Sequence, residues 1–138
     1  MSVPSDKPLL GARVLVVDDD LDSREIYALV LEEAGATVRV DSGSTDGLSS
    51  ALEWQPTLVI SDLVMPAGDG FTFVQKLHAT RGLEHVPVIA VSGLVSAKAR
   101  EDALAAGFRD YLGKPVMPDD LIALVARWTS KPADGGST

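Results

Sequence analysis

Cysteine is missing from all 138 residues. That excludes disulfide staples and thiolate metal sites, and it is compatible with a cytoplasmic protein. Long apolar runs are missing too. None approaches the ~18 residues that read as a membrane span, so no membrane partner is expected. The opening MSVPSDKP has neither the basic nor the apolar region of a signal peptide. Positive charge is scarce: 12 Lys and Arg stand against 20 Asp and Glu, for a formal net charge of −8. With no basic stripe either, nucleic acid is not an expected partner. What is present is 46% apolar and 23% charged residues in a chain of one-domain length, enough to bury a core.

The two ends are poor in apolar material. Residues 1–10 read as a flexible tail, and residues 130–138, SKPADGGST, as a flexible tail or linker stub. The single domain expected between them is 11–129. Inside it two periods alternate. Apolar runs at 13–17, 57–61 and 86–91 are nearly continuous, as in parallel strands covered on both faces. Shorter strand candidates lie at 36–40 and 109–112. Helical patterns fall between them at 22–34, 44–53, 70–79, 96–106 and 118–128. The first carries Asp22-x-x-Glu25, a capping-box spacing, with Ile26, Leu29 and Val30 among its apolar positions, and stops before Gly35. Phe73 and Leu77 sit four apart on the third; Leu121, Val125 and Trp128 share a face of the fifth. Five βα units predict an α/β fold, a doubly wound five-stranded parallel sheet.

Ligands of open parallel sheets bind beyond the carboxyl ends of the strands. Asp18, Asp19 and Asp20 follow the first strand without a break, and Asp62 follows the third. Ser92 ends the fourth and Lys114 follows the fifth. Carboxylates gathered this closely repel one another and resist burial. A divalent cation makes the gathering tolerable, and Mg²⁺ needs only two or three such oxygens because it keeps several waters. Without the metal, at least one of these carboxyls is expected to have a raised pKa.

Four stretches carry a resemblance: VLVVDDD, SDLVMPAGDG, VSG and YLGKP, in this order. Together they resemble the receiver domain of two-component response regulators across nearly the whole expected domain. The resemblance implies the flavodoxin-like strand order 2-1-3-4-5 and a phosphoryl switch rather than an enzyme acting on other substrates. Such a domain catalyses only its own phosphorylation and dephosphorylation. Asp62 is then the phosphoacceptor, served by a histidine kinase or phosphotransfer protein. Asp19 is a direct Mg²⁺ ligand, Asp18 acts nearer the waters of the metal, and the backbone carbonyl of Val64 completes the protein ligands. Ser92 follows the phosphoryl group, Lys114 pairs with one of its oxygens, and Tyr111 is the aromatic rotamer switch. Pro115 makes Gly113-Lys114-Pro115 a cis-proline turn that aims the lysine. The surface of the fourth helix, fifth strand and fifth helix is the implied face for a downstream target protein. Whether the domain stands alone or belongs to a hybrid kinase is left open by the sequence.

The pattern departs from the family in places. Gly68 stands where Met is common, and Val64 and Leu94, each two residues past a site residue, are apolar where many members are polar. The second departure predicts slow loss of the phosphoryl group. An alternative reading is a haloacid-dehalogenase-type phosphatase with Asp18 and Asp20 as its acidic pair; it leaves Asp62 and the Met-Pro pair unused. Asp20 and Asp22 otherwise read as first-turn carboxylates suited to a helix dipole. His78 and His85, the only histidines, read as surface residues, and Trp54 and Trp128 as packing residues at helix ends.

Overall fold

The computed structural model describes residues 7–64, 70–93 and 96–129. Five strands alternate with five helices. They are β1 (Arg13–Val17), α1 (Leu21–Glu33), β2 (Thr37–Asp41), α2 (Ser44–Trp54), β3 (Leu58–Asp62), α3 (Gly70–His78), β4 (Val88–Ser92), α4 (Ala97–Ala106), β5 (Asp110–Gly113) and α5 (Pro118–Thr129). The strands form one parallel sheet in the order β2-β1-β3-β4-β5. The expected doubly wound architecture and strand order are both present. The element bounds differ from the sequence expectation by a residue or two, as helix and strand ends do.

The continuous apolar runs are central strands. Every residue of β3 and β4 is buried, and β1 is buried from Val14 onward. Side chains alternate between the two faces of a strand, so each strand feeds two cores. Val14, Val16, Ile60 and Val91 point toward α1 and α5, where they meet Tyr27, Leu31, Leu121 and Val125. Leu15, Val17, Val59 and Ala90 point to the other face, where Phe73, Val74, Leu77 and Ala103 cover them. The edge strands β2 and β5 are only partly buried, which is why their patterns are weaker in the sequence.

Four sequence readings need correction. The apolar side of α1 is only partly the one expected: Val30 packs against the core, but Ile26 and Leu29 are 55% and 58% exposed, while Tyr27 and Leu31 face the sheet. The helix is capped by Asp20, two residues before the expected capping box; its carboxylate accepts hydrogen bonds from the Ser23 N–H (3.1 Å) and hydroxyl (2.7 Å). Packing begins ahead of Gly11, since Leu9 is buried and its N–H donates to the Ala34 carbonyl at 2.8 Å. Lys7 also donates to the Glu33 carbonyl at the end of α1. His78 is half-buried rather than a surface residue, and its Nε2 donates to the Val86 carbonyl at 2.8 Å. The expected C-terminal tail, residues 130–138, lies outside the described residues.

Candidate functional site

The carboxyl edge of the sheet gathers the expected residues because β1, β3, β4 and β5 are parallel and in register. Asp62 pairs with Val91 across β3 and β4, and Ser92 with Gly113 across β4 and β5. The Lys114 N–H donates to the Ser92 carbonyl at 2.8 Å, which carries the lysine onto the rim. The Lys114–Pro115 peptide is cis.

Asp62 is held on both oxygens. Oδ2 accepts from Lys114 Nζ at 3.0 Å, and Oδ1 accepts from the Val64 N–H at 3.2 Å. Asp18 is buried beside it, with Oδ1 accepting from the Asp20 N–H at 2.9 Å. Asp18 Oδ2 is 3.6 Å from Lys114 Nζ and has no hydrogen-bond partner among the described residues. Asp19 is exposed. One carboxylate oxygen each from Asp18, Asp19 and Asp62 lies within 4.8 Å of the other two.

Three hard oxygens around one point, one of them on a buried carboxylate with an unpartnered atom, fit a divalent cation of the Mg²⁺ kind. One ammonium does not neutralise three carboxylates. Burial of Asp18 raises its pKa, and the charges of Asp62 and Asp19 add to that; the Asp20 N–H and the Lys114 charge work the other way. A raised carboxyl is thus present as expected, with burial rather than repulsion as the main cause. Burial disfavours the Lys114 ammonium, but its hydrogen bond to Asp62 and the charges of Asp18 and Asp62 outweigh that and raise its pKa.

The sign of the Asp18 shift gives a stability prediction. A carboxyl whose pKa is higher in the folded state binds its proton more tightly there. Folding is unpenalised below the unfolded-state pKa, and the penalty grows as the pH rises through the folded-state value. Asp18→Asn should therefore raise the Tm of the metal-free protein at pH 7. The gain should vanish near pH 4, within the ordinary carboxyl range. Thermal melts at pH 4 and pH 7 in a chelator check this; equal or lower stability of the variant at pH 7 contradicts it.

Ser92 ends β4 and is buried. The Tyr111 ring packs against the α2–α3–α4 core, and its hydroxyl is buried without a hydrogen-bond partner among the described residues. Val64 is 61% exposed. Leu94 and Gly68 lie outside the described residues.

Asp20 does not join the cluster. Its carboxylate is exposed and committed to capping α1, with its pKa lowered by the Ser23 hydrogen bonds. The phosphatase reading, which needs Asp18 and Asp20 to act on one substrate, loses its second acid. Asp22 and the Asp119–Asp120 pair lie in the first turns of α1 and α5. Trp128 does more than pack: its indole N–H donates to Asp110 at the start of β5 (3.2 Å). The sequence reading missed Arg24, whose Nη1 donates to the Asp18 carbonyl at 2.9 Å. Spacing gives no signal for it, because the contact reaches back from α1 to the end of β1.

Comparison with known proteins agrees with this geometry. Residues 14–126 match the response regulator receiver domain family. A 14.6 kDa uncharacterized protein from the sodA1 3′ region of Leptolyngbya boryana is 39% identical over 115 residues, covering 83% of this chain and 88% of that protein. The transcriptional regulatory protein GltR of Pseudomonas aeruginosa is 33% identical over 115 residues, covering 83% of this chain. The chain spans about half of GltR, 48% of its length. Among solved structures, the chemotaxis protein CheY4 of Vibrio cholerae superposes with a TM-score of 0.80 at 28% identity, over 84% of this chain and 97% of that one. No helix among the described residues is long and apolar enough to cross a membrane. The sheet order, the acidic rim and the match over residues 14–126 lead to one conclusion: the chain belongs to the receiver domains of two-component response regulators.

Proposed function

We propose that this receiver takes a phosphoryl group onto Asp62 from the phosphohistidine of a histidine kinase or phosphotransfer protein, with Mg²⁺ as cofactor. The observation that carries the reading is the setting of Asp62. Its carboxylate is shared between Lys114 Nζ at 3.0 Å and the Val64 N–H at 3.2 Å, and it clusters with Asp18 and Asp19.

Phosphoryl transfer depends on positioning and charge neutralisation more than on covalent help from the protein. A carboxylate oxygen of Asp62 attacks phosphorus, and the phosphorus–nitrogen bond of the donor breaks. The electron pair leaves on the imidazole nitrogen, which takes up a proton. The product is an acyl phosphate on Asp62. Asp18, Asp19, Asp62 and the Val64 carbonyl would hold Mg²⁺, which when bound supplies positive charge against the phosphoryl oxygens. Lys114 exchanges its contact with Asp62 for one with a phosphoryl oxygen, as a point charge suited to phosphate. The Ser92 hydroxyl donates to another.

The output lies on the α4, β5 and α5 face, where an unidentified target protein docks. α4 is the loosest of the helices there. Ala103 is its one fully buried residue, and Leu104 is 39% exposed. An element with so little buried apolar surface moves at small cost. Ser92 and Tyr111 connect the acceptor to it, so a single new hydrogen bond at Ser92 biases a two-state element.

Incubating the chain with acetyl phosphate and Mg²⁺ and weighing it intact tests the reading. One added phosphoryl group is expected, and none in a chelator. Labelling that ignores the metal, or no labelling at all, contradicts the proposal.

The exposed Val64 bears on the lifetime of the product. Hydrolysis needs a water in line with the Asp62–phosphorus bond. An apolar side chain beside that approach neither binds nor orients the water. Val64→Asn supplies one orienting contact, worth about 1–2 kcal/mol of barrier, or roughly five- to thirtyfold in decay rate. Loss of the label is followed by intact mass after the phosphodonor is removed. Unchanged or slower decay in the variant removes Val64 from control of the water.

A further inference from the structure

The Asp18–Asp19 turn is clamped from outside the cluster by a residue to which the family match gives no role. β1 ends at Val17, and the Asp18 N–H still bonds to the Asp41 carbonyl of β2 at 3.1 Å. The Asp18 carbonyl lies one peptide beyond the last strand residue. Its partner is the Arg24 guanidinium, which reaches back from α1 to donate through Nη1 at 2.9 Å. Arg24 follows the first turn of α1, four residues after the capping Asp20, whose carboxylate its charge favours. From there the side chain reaches back along the helix to the β1 edge, and the chain gains a hold on the turn.

The gain is geometric. The Asp18 carbonyl belongs to the peptide that joins Asp18 to Asp19. Holding that carbonyl toward α1 fixes the plane of the peptide, and with it the direction in which the Asp19 side chain leaves the backbone. Asp20 closes the turn from the other side, because its N–H bonds to Asp18 Oδ1 at 2.9 Å and its side chain caps α1. Arg24 is thus the one side-chain donor that the described contacts give to the peptide preceding an exposed carboxylate.

We infer that Arg24 is a positioning residue for the divalent cation: by clamping the Asp18 carbonyl it aims Asp19 into the cluster formed with Asp18 and Asp62. The inference rests on the Mg²⁺ reading proposed above. It makes a prediction of opposite sign to simple electrostatics. A guanidinium beside a cation site repels the ion, so removing it should tighten Mg²⁺ binding if charge were its only effect. If Arg24 aims Asp19, removing it weakens binding instead, by about tenfold or more, as for other residues that orient a metal ligand from behind.

Isothermal titration of the full chain with MgCl₂ separates the two. Parent, Asp19→Asn, Arg24→Ala and Arg24→Met are compared at one ionic strength. Arg24→Met keeps the unbranched stem and loses both charge and donors, so it serves if the alanine variant does not fold. Weaker Mg²⁺ binding in the folded Arg24 variant, together with a shifted Asp19 amide resonance in the metal-free protein, is the expected result. Equal or tighter binding overturns the inference while leaving the Mg²⁺ reading intact. A parent chain that binds no Mg²⁺, or an Asp19→Asn variant that binds it as tightly as the parent, overturns the Mg²⁺ reading and this inference with it.

Discussion

Asp62→Asn should take up no phosphoryl group from acetyl phosphate in the presence of Mg²⁺, with labelling reduced to background. The substitution changes the chemistry with little change in shape. An amide oxygen still accepts the hydrogen bond that Lys114 Nζ or the Val64 N–H makes to the native carboxylate. The amide has no anionic oxygen to attack phosphorus, and its nitrogen lone pair is delocalised into the carbonyl. The variant also takes one negative charge from a cluster in which three carboxylate oxygens lie within 4.8 Å of one another. Relief of that repulsion opposes the loss of the Lys114 ion pair, and a thermal melt of the variant separates lost chemistry from unfolding. Intact-mass measurement gives the answer directly. Undiminished labelling of Asp62→Asn would place the acceptor elsewhere and remove the central residue from the mechanism.

The second large effect comes from a position with no side chain. Gly70 opens α3, and its N–H donates to the Leu63 carbonyl at 2.9 Å. A Cβ built there would collide with the Asp62 carbonyl oxygen and meet the Leu63 Cα at 3.0 Å. Both are backbone atoms of the segment that carries Asp62, so no rotamer change relieves the clash. Gly70→Ala should cost about 3 kcal/mol or more, at the upper end for overpacking, and lower the Tm by roughly 10 °C. The only large relaxation open to the chain is to push α3 away from β3 or to move the Asp62 backbone. A displacement near 1 Å at a reacting group can slow transfer by about a hundredfold. Gly70→Ala is therefore expected to lose phosphorylation rate as well as stability, measured at a temperature where it remains folded. Gly43→Ala is the control. Nothing lies within 4 Å of its added Cβ, and it should lose only about 1 kcal/mol of helix-cap preference. A Gly70→Ala chain as stable as the parent would mean that α3 sits farther from β3 than described.

α1 shows where sequence reasoning ran out. Two apolar sets are legible along it, Ile26 with Leu29 and Val30, and Tyr27 with Leu31 and Ala34. Periodicity alone does not choose between them, because both repeat at helical spacing. The choice depends on the rotation of the helix against β1 and β3; it buries Tyr27 and Leu31, leaves Val30 at the edge of the core and turns Ile26 and Leu29 outward. The start of α1 shifted for a related reason. Asp22-x-x-Glu25 and Asp20-x-x-Ser23 are both credible caps, and Asp20 caps because the chain must leave the β1 edge straight after Asp19. His78 was misread because its partner, the Val86 carbonyl, arrives from a separate loop.

The order of the elements, the central strands and the strand-end identity of Asp18, Asp19, Asp62, Ser92 and Lys114 were legible in the chain itself. Continuous apolar runs identify buried parallel strands, and every parallel strand delivers its last residue to the same edge. Tertiary structure alone decided which of those residues meet at the rim and which turn away. Lys114 meets Asp62 across 52 residues of sequence, through the register of β3 on β4 and β4 on β5. Asp20 turns to the helix and out of the cluster, Asp18 is buried with an oxygen left over, and Arg24 folds back onto a carbonyl. None of these is a property of spacing. Each follows from directional hydrogen bonds, whose partners are fixed only when the sheet and the helices on it are packed.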